Sequence, residues 1–155
     1  MKTHALIAIL VLASVPLTHA IASSKAEEVA VKTVVDQFAQ AWETEDMTLF
    51  SRVMAHDADM VNFGTDAAEH FVGWEALRDA AGKMFPAFEK TKLTVKEQVI
   101  KIHSSGNAAW FSELVDWDLL VEGKPVHQSC RFTGVLEKRK GKWIIVQFHN
   151  SVPVS

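Results

Sequence analysis

Val31, Val34, Val35, Phe38, Ala41 and Trp42 recur at steps of three and four and predict one long helix with a single apolar stripe. Ser24 and Glu27 have the spacing of a capping box, which places the start of that helix near residue 24. Asp46 suits the N-cap of a short second helix carrying Leu49, Phe50, Val53 and Met54. A brief strand is expected at 60–63, followed by an irregular loop to Gly73. Trp74, Leu77, Ala81, Met84 and Phe85 then predict a third helix, disturbed at Pro86.

Beyond residue 90 the period changes from helical to alternating. Segments 93–102, 108–121, 126–138 and 142–150 are rich in β-branched and aromatic residues, and Gly106-Asn107, Glu122-Gly123 and Lys140-Gly141 separate them. Helices first and an antiparallel meander afterwards indicate an α+β domain whose helices cover one sheet face. Alternation sorts each strand into two sides. Phe111, Glu113, Val115, Trp117 and Leu119, then Phe132, Gly134 and Leu136, then Ile144, Val146, Phe148 and Asn150 are assigned to the covered side. The opposite sets mix large apolar groups with polar ones: Trp110, Ser112, Leu114, Asp116 and Asp118; Arg131, Thr133 and Val135; Trp143, Ile145, Gln147 and His149. That mixture has the composition of an interface, and Trp110, Arg131, Gln147 and His149 are its dimer-face candidates. A β-bulge would exchange the two sets beyond it.

Composition narrows the classes of function. The 155 residues suffice for one domain with a proper core. Lys2 and His4 precede an apolar run from Ala5 to Leu17, with small-residue cleavage options after Ala20 or Ala22. This pattern reads as a signal peptide over 1–22, too short to span a bilayer, and it implies export to the periplasm or beyond, with a domain over 23–155. The formal charge of -3 becomes -4 once Lys2 is removed, leaving 15 basic against 19 acidic residues. That balance offers neither the basic stripe that nucleic acid requires nor attraction to anionic lipid after cleavage. Cys130 is the only cysteine, so no internal disulfide is possible and packing alone must hold the domain.

The stretches "AWETEDMTLFSRVMAHDADMVN" and "RFTGVLEKRKGKWIIVQFHNSVP", in this order of elements, resemble the SnoaL-like branch of the nuclear transport factor two-like superfamily. The resemblance covers nearly all of the chain after the leader. It implies a cone: a strongly curved sheet wrapped over three helices, with a pocket inside and a homodimer across the outer sheet face. The superfamily includes ketosteroid isomerases, cyclases, dehydratases, epoxide hydrolases and members without catalysis. Matching the isomerase pattern without a gap puts Phe38 where a tyrosine donor would stand, Asn62 where the carboxylate base would stand, and Phe132 near the second donor. The chain contains no tyrosine at all. These departures argue against an isomerase of that mechanism.

Three readings of function remain. The first is a pocket for a small apolar or aromatic molecule, lined by Phe38, Trp42, Asn62, Phe63, Phe132, Phe148 and Asn150 and needing no cofactor. The second is a lyase, isomerase or hydrolase using Glu113 as acid–base, because burial among Phe111, Val115 and Trp117 raises a carboxyl pKa. Asn62 and Asn150 are its candidate charge-steadying donors, and Glu69-His70 is its fallback pair. The third is a dimeric interaction domain, favoured if the cone holds no cavity above roughly 300 Å³. His56, Asp57 and Asp59 have a spacing that could suggest a metal, yet such acidic residues also close turns on their own backbone, and no metal is expected.

Overall fold

The computed structural model describes residues 17–153, with side chains from Lys25 onward. Most of the signal-peptide expectation therefore lies outside the described residues. Helix α1 spans Leu17–Glu43, α2 Met47–Val53 and α3 Trp74–Met84, the last followed by a single 3₁₀ turn at Phe85–Ala87. Strands β1 (Val61–Phe63) and β2 (His70–Val72) form a short hairpin, and β3 (Glu89–Ile102), β4 (Ala108–Val121), β5 (Lys124–Arg139) and β6 (Lys142–Ser151) form the meander.

The start of α1 differs from the expectation. The helix runs through Ser24, so Ser24 is not its N-cap. Glu27 does not turn back to the backbone either: it accepts from Lys138 Nζ at 2.5 Å and Trp143 Nε1 at 2.7 Å, tying the helix to the far hairpin. Asp46 does cap α2, accepting from the Leu49 amide at 2.9 Å. Pro86 ends α3 because it offers no amide to continue the ladder.

The six strands form one open sheet in the order β2-β1-β6-β5-β4-β3. Neighbours are antiparallel except β1 and β6, which run parallel and bring Phe63 opposite His149. The β4–β5 and β5–β6 connections are two-residue turns in which both residues have positive φ: 52° and 73° at Glu122-Gly123, 50° and 79° at Lys140-Gly141. This is the turn geometry whose twist matches paired strands.

One face of the sheet packs on the helices. Phe38, Trp42, Phe50, Trp74, Phe85, Phe111, Phe132 and Phe148 meet there with Val31, Val35, Leu77, Leu136 and Ile145. Phe50 is fully buried, with the rings of Phe38, Trp42, Trp74 and Phe85 at centroid distances between 5.6 and 6.0 Å. Gly134 is required in this layer, since a Cβ there would lie 2.5 Å from the Phe111 ring and 2.7 Å from the Gln147 carbonyl.

The alternation assigned to β4 and β5 holds, and that assigned to β6 holds only in its second half. Val135 pairs with Gln147 while Leu136 pairs with Ile145, so Val146 is an extra residue in a β-bulge. Before it Trp143 and Ile145 point into the core, and after it Phe148 does. Ile144 and Val146, assigned to the covered side, are only half-buried. A second bulge lies in β3, where Glu97 (φ 49°) and Gln98 together oppose Glu113.

Candidate functional site

At the wide end of the sheet the helices leave a gap. The cavity has a volume of about 190 Å³ and is floored by Phe38, Trp42, Phe132 and Phe148. Leu77, Ala80, Ala81 and Met84 of α3 and Phe88 close one side. Trp117, Leu119 and Val121 of β4 with Val126, Gln128 and Cys130 of β5 close the other. Gly64, Thr65, Glu69 and Phe71 form the remaining wall, and Asn150 ends β6 in it. Thr65 and Val126 are exposed, which marks where the cavity meets solvent.

Strand alternation explains the lining. Trp117, Leu119 and Val121 continue the inward set of β4, and Val126, Gln128, Cys130 and Phe132 are the inward set of β5.

Of the residues expected in the pocket, Phe38, Trp42, Phe132, Phe148 and Asn150 line the cavity, and Asn62 and Phe63 do not. Asn62 is fully buried, and its Oδ1 accepts from the Phe148 amide at 2.9 Å. It holds the parallel β1–β6 junction together. Phe63 lies on the other face of β1, exposed, stacked on His70 at 4.9 Å and edge-on to His149 at 5.7 Å.

Glu113 is buried, as the strand pattern requires, but it is not among the residues that line the cavity. It pairs across the ladder with Phe132 of the cavity floor and lies beneath α1. Gln98 Nε2 donates to it at 2.7 Å and reaches Asp36 at 3.3 Å. The β3 bulge aims the Gln98 amide inward at this carboxyl. Burial pushes the Glu113 pKa up to about 7. The Gln98 hydrogen bond opposes that rise, Asp36 adds to it, and Lys32 lowers it.

Glu69 is the one carboxylate in the cavity wall. It is held in the loop by the Asp66 amide at 3.0 Å, beside Gly64, where a Cβ would lie 2.1 Å from its Oε2. His70 faces outward on Phe63, so the fallback pair is split. Cys130 is a buried thiol whose pKa burial pushes up to about 11, which removes thiolate reactivity near neutral pH. Asp57, in the turn weighed as a metal site, is clamped by both Arg139 Nη groups at 2.7 and 2.6 Å. His56 stacks on Trp74 at 4.2 Å. Among the described residues no group of three His, Cys, Asp or Glu side chains converges on a metal position.

Sequence reasoning missed Trp117, Met84, Phe88 and Gln128 as lining residues, whereas Glu69, weighed only in the fallback pair, is in the wall. Trp117 was readable as inward from its register. The α3 and loop residues depend on where α3 crosses the sheet, which no local pattern encodes.

This arrangement of an open curved sheet and three helices has counterparts among known proteins. A SnoaL-like domain model matches residues 31–155. The chain belongs to the SnoaL-like family. Solved structures similar to this SnoaL-like chain include a candidate dehydratase of the nuclear transport factor two-like family from Streptomyces avermitilis. It is 14% identical with a TM-score of 0.77, over 84% of this chain and 99% of that one. A nuclear transport factor two-like superfamily protein from Salmonella enterica serovar Typhimurium is 19% identical, with a TM-score of 0.75 over 86% and 94% of the two chains. A candidate scytalone dehydratase from Novosphingobium aromaticivorans is 10% identical, with a TM-score of 0.75 over 86% and 89%. At these identities the likeness is one of fold. No curated protein sequence matches the chain.

Proposed function

We propose that this SnoaL-like domain binds a small apolar or aromatic molecule in its cone. The fold is one that serves small-molecule binding or isomerase- and dehydratase-type domains. The observation that carries the binding reading is a solvent-connected cavity walled by Phe38, Trp42, Phe88, Trp117, Phe132 and Phe148. A volume of about 190 Å³ suits a single ring or a short chain and is too small for a steroid-sized ligand. Chemistry through Glu113 finds no support in its position beneath α1.

A thermal-shift screen of one-ring and short-chain apolar compounds checks the proposal. A ligand that binds only the folded state adds about 2.7 kcal/mol at a hundred times its Kd. Ala80→Trp, which fills the cavity from α3, should abolish the shift. No stabilisation by any such compound, or equal stabilisation of Ala80→Trp, would count against the cavity.

The interaction-domain reading keeps two observations in its favour. The cavity falls short of the roughly 300 Å³ typical of ligand sites. The outer sheet face also exposes Trp110, Leu114, Val135 and Val99, with Arg131 and Thr133 between them and Gln147 and His149 on the adjoining strand. A homodimer over this face is part of our proposal. Light scattering after size exclusion should give twice the chain mass at micromolar concentration, and Trp110→Lys should give a monomer; a monomeric wild type removes the dimer.

Export belongs to the proposal too, on the strength of the charged start, apolar run and small residues of 1–22. Intact mass of the protein expressed with its full leader should show a mature N-terminus near Ile21 or Ser23. Retention of Met1 on the exported protein would overturn this.

A further inference from the structure

Two of the aromatic residues in the cavity wall carry an unanswered polar group. The indole Nε1–H groups of Trp42 and Trp117 are shut off from solvent and have no acceptor. Their rings sit edge-on with centroids 5.4 Å apart, Trp42 on α1 and Trp117 on β4. Asn150 Oδ1, at the end of β6 in the same wall, is buried without a donor. A buried indole ordinarily finds a partner for its N–H, because leaving such a donor unpaired is costly. Two neighbouring ones on one cavity are therefore a requirement that the protein itself does not meet.

The charge of the wall narrows what could meet it. The lining residues include no Lys, Arg or His, and their only charged group is Glu69. A carboxylate or phosphate would enter apolar surroundings without a counter-ion and against that acidic group, so an anion is disfavoured. A cation would leave both N–H donors unanswered. What remains is a neutral molecule with an apolar body and a hydrogen-bond acceptor on one side.

We infer that the cone takes a compact neutral carbonyl compound whose oxygen is received by the indole N–H groups of Trp42 and Trp117. This inference rests on the reading of the cone as a ligand site and names the chemical class of its occupant. The volume limits the ligand to about one ring with a short substituent. Both N–H groups are covered in the empty cone, so receiving the oxygen requires the two rings to turn toward the cavity. Asn150 is placed to accept from a hydroxyl or amide on ligands that carry one.

Four probes of similar size and different chemistry separate the possibilities: acetophenone, α-methylstyrene, benzoate and phenyltrimethylammonium. Calorimetric titration should show acetophenone binding at least about fivefold more tightly than α-methylstyrene, which has the same shape without the acceptor. One neutral hydrogen bond contributes about two- to tenfold in affinity. Trp117→Phe, which keeps an aromatic ring and removes the donor, should lower the ratio of the two affinities toward unity, whatever it does to each affinity alone. In the wild-type complex the acetophenone carbonyl stretch should move to lower frequency than in hydrocarbon solvent. This measurement stands even if a tryptophan variant fails to fold.

Equal affinity for acetophenone and α-methylstyrene, an unshifted carbonyl stretch, or tighter binding of benzoate or phenyltrimethylammonium would overturn the inference while leaving the cone a binding site. Failure of all four probes, together with a flat apolar thermal-shift screen, would remove the binding reading as well.

Discussion

Raising the pH from about 5 to about 8 is expected to weaken the folded domain, and Glu113→Gln is expected to remove most of that weakening. In the native state burial holds the Glu113 pKa at about 7, whereas the unfolded chain restores the ordinary value of 4.5. Between those two values the folded state binds more protons than the unfolded one. Stability is therefore greatest below about pH 4.5 and declines as the pH rises through 7. A gap of this size corresponds to about 3 kcal/mol, at roughly 1.4 kcal/mol per pH unit.

Glu27, Asp57 and Asp116 have the opposite sign. Hydrogen bonds from Lys138, Arg139 and Lys96 respectively hold them below the ordinary carboxylate range. Their contribution is present at neutral pH and is lost only in acid below about pH 4. Urea midpoints for wild type and Glu113→Gln across the range isolate Glu113, because changes common to both proteins cancel. The amide in the variant is neutral at every pH and can still accept from Gln98. Parallel pH profiles for the two proteins would show that Glu113 is ionised in the folded state.

The second large effect concerns packing. Phe50→Ala should cost about 3–5 kcal/mol, the range for removing a fully enclosed aromatic ring. Four other rings from α1, α3 and the 3₁₀ turn surround Phe50, so a void there cannot be closed by one side chain shifting. The urea midpoint should fall sharply with little change in slope. A loss below about 1 kcal/mol would mean that the helical layer is far more plastic than its aromatic geometry implies.

How much of this was readable in advance depends on which physical rule governed each element. The long strands β4 and β5 obey strict alternation, so Phe111, Glu113, Val115 and Phe132 could be placed inside from sequence. Strand β6 breaks the rule at one residue, and a bulge leaves no local signature in "KWIIVQFHN", where every residue from Trp143 to Val146 is apolar. Trp143 and Ile145 were therefore put on the wrong side. Strand β2 has three residues and was read as loop, and the parallel β1–β6 pairing joins segments far apart in the chain.

The site was legible to the same extent. Residues on the long elements, Phe38, Trp42, Phe132, Phe148 and Asn150, do reach the cavity. Asn62, matched to a family pattern, and Phe63, read as an apolar pocket residue, were also placed there. Asn62 instead meets the buried Phe148 amide, and Phe63, its neighbour on a strand, necessarily faces the other way. Burial of Glu113 followed from its strand, but its being covered by α1 and not open to the cavity depends on where α1 crosses the sheet. That crossing is a tertiary fact.

Strand β6 is the last to be synthesised, yet it lies between the β1–β2 hairpin and the rest of the meander. Until it arrives, the two three-residue strands of that hairpin have no sheet to join, and Glu27 lacks the Trp143 indole 116 positions downstream. The domain therefore cannot finish folding from its N-terminus as it emerges. Completion waits for a closure spanning most of the chain, of the kind that makes folding slow. Until that closure the aromatic faces of the meander and of α1 stay exposed together, so the unfinished domain offers its apolar surface to other chains for longer than a fold completed from local contacts would.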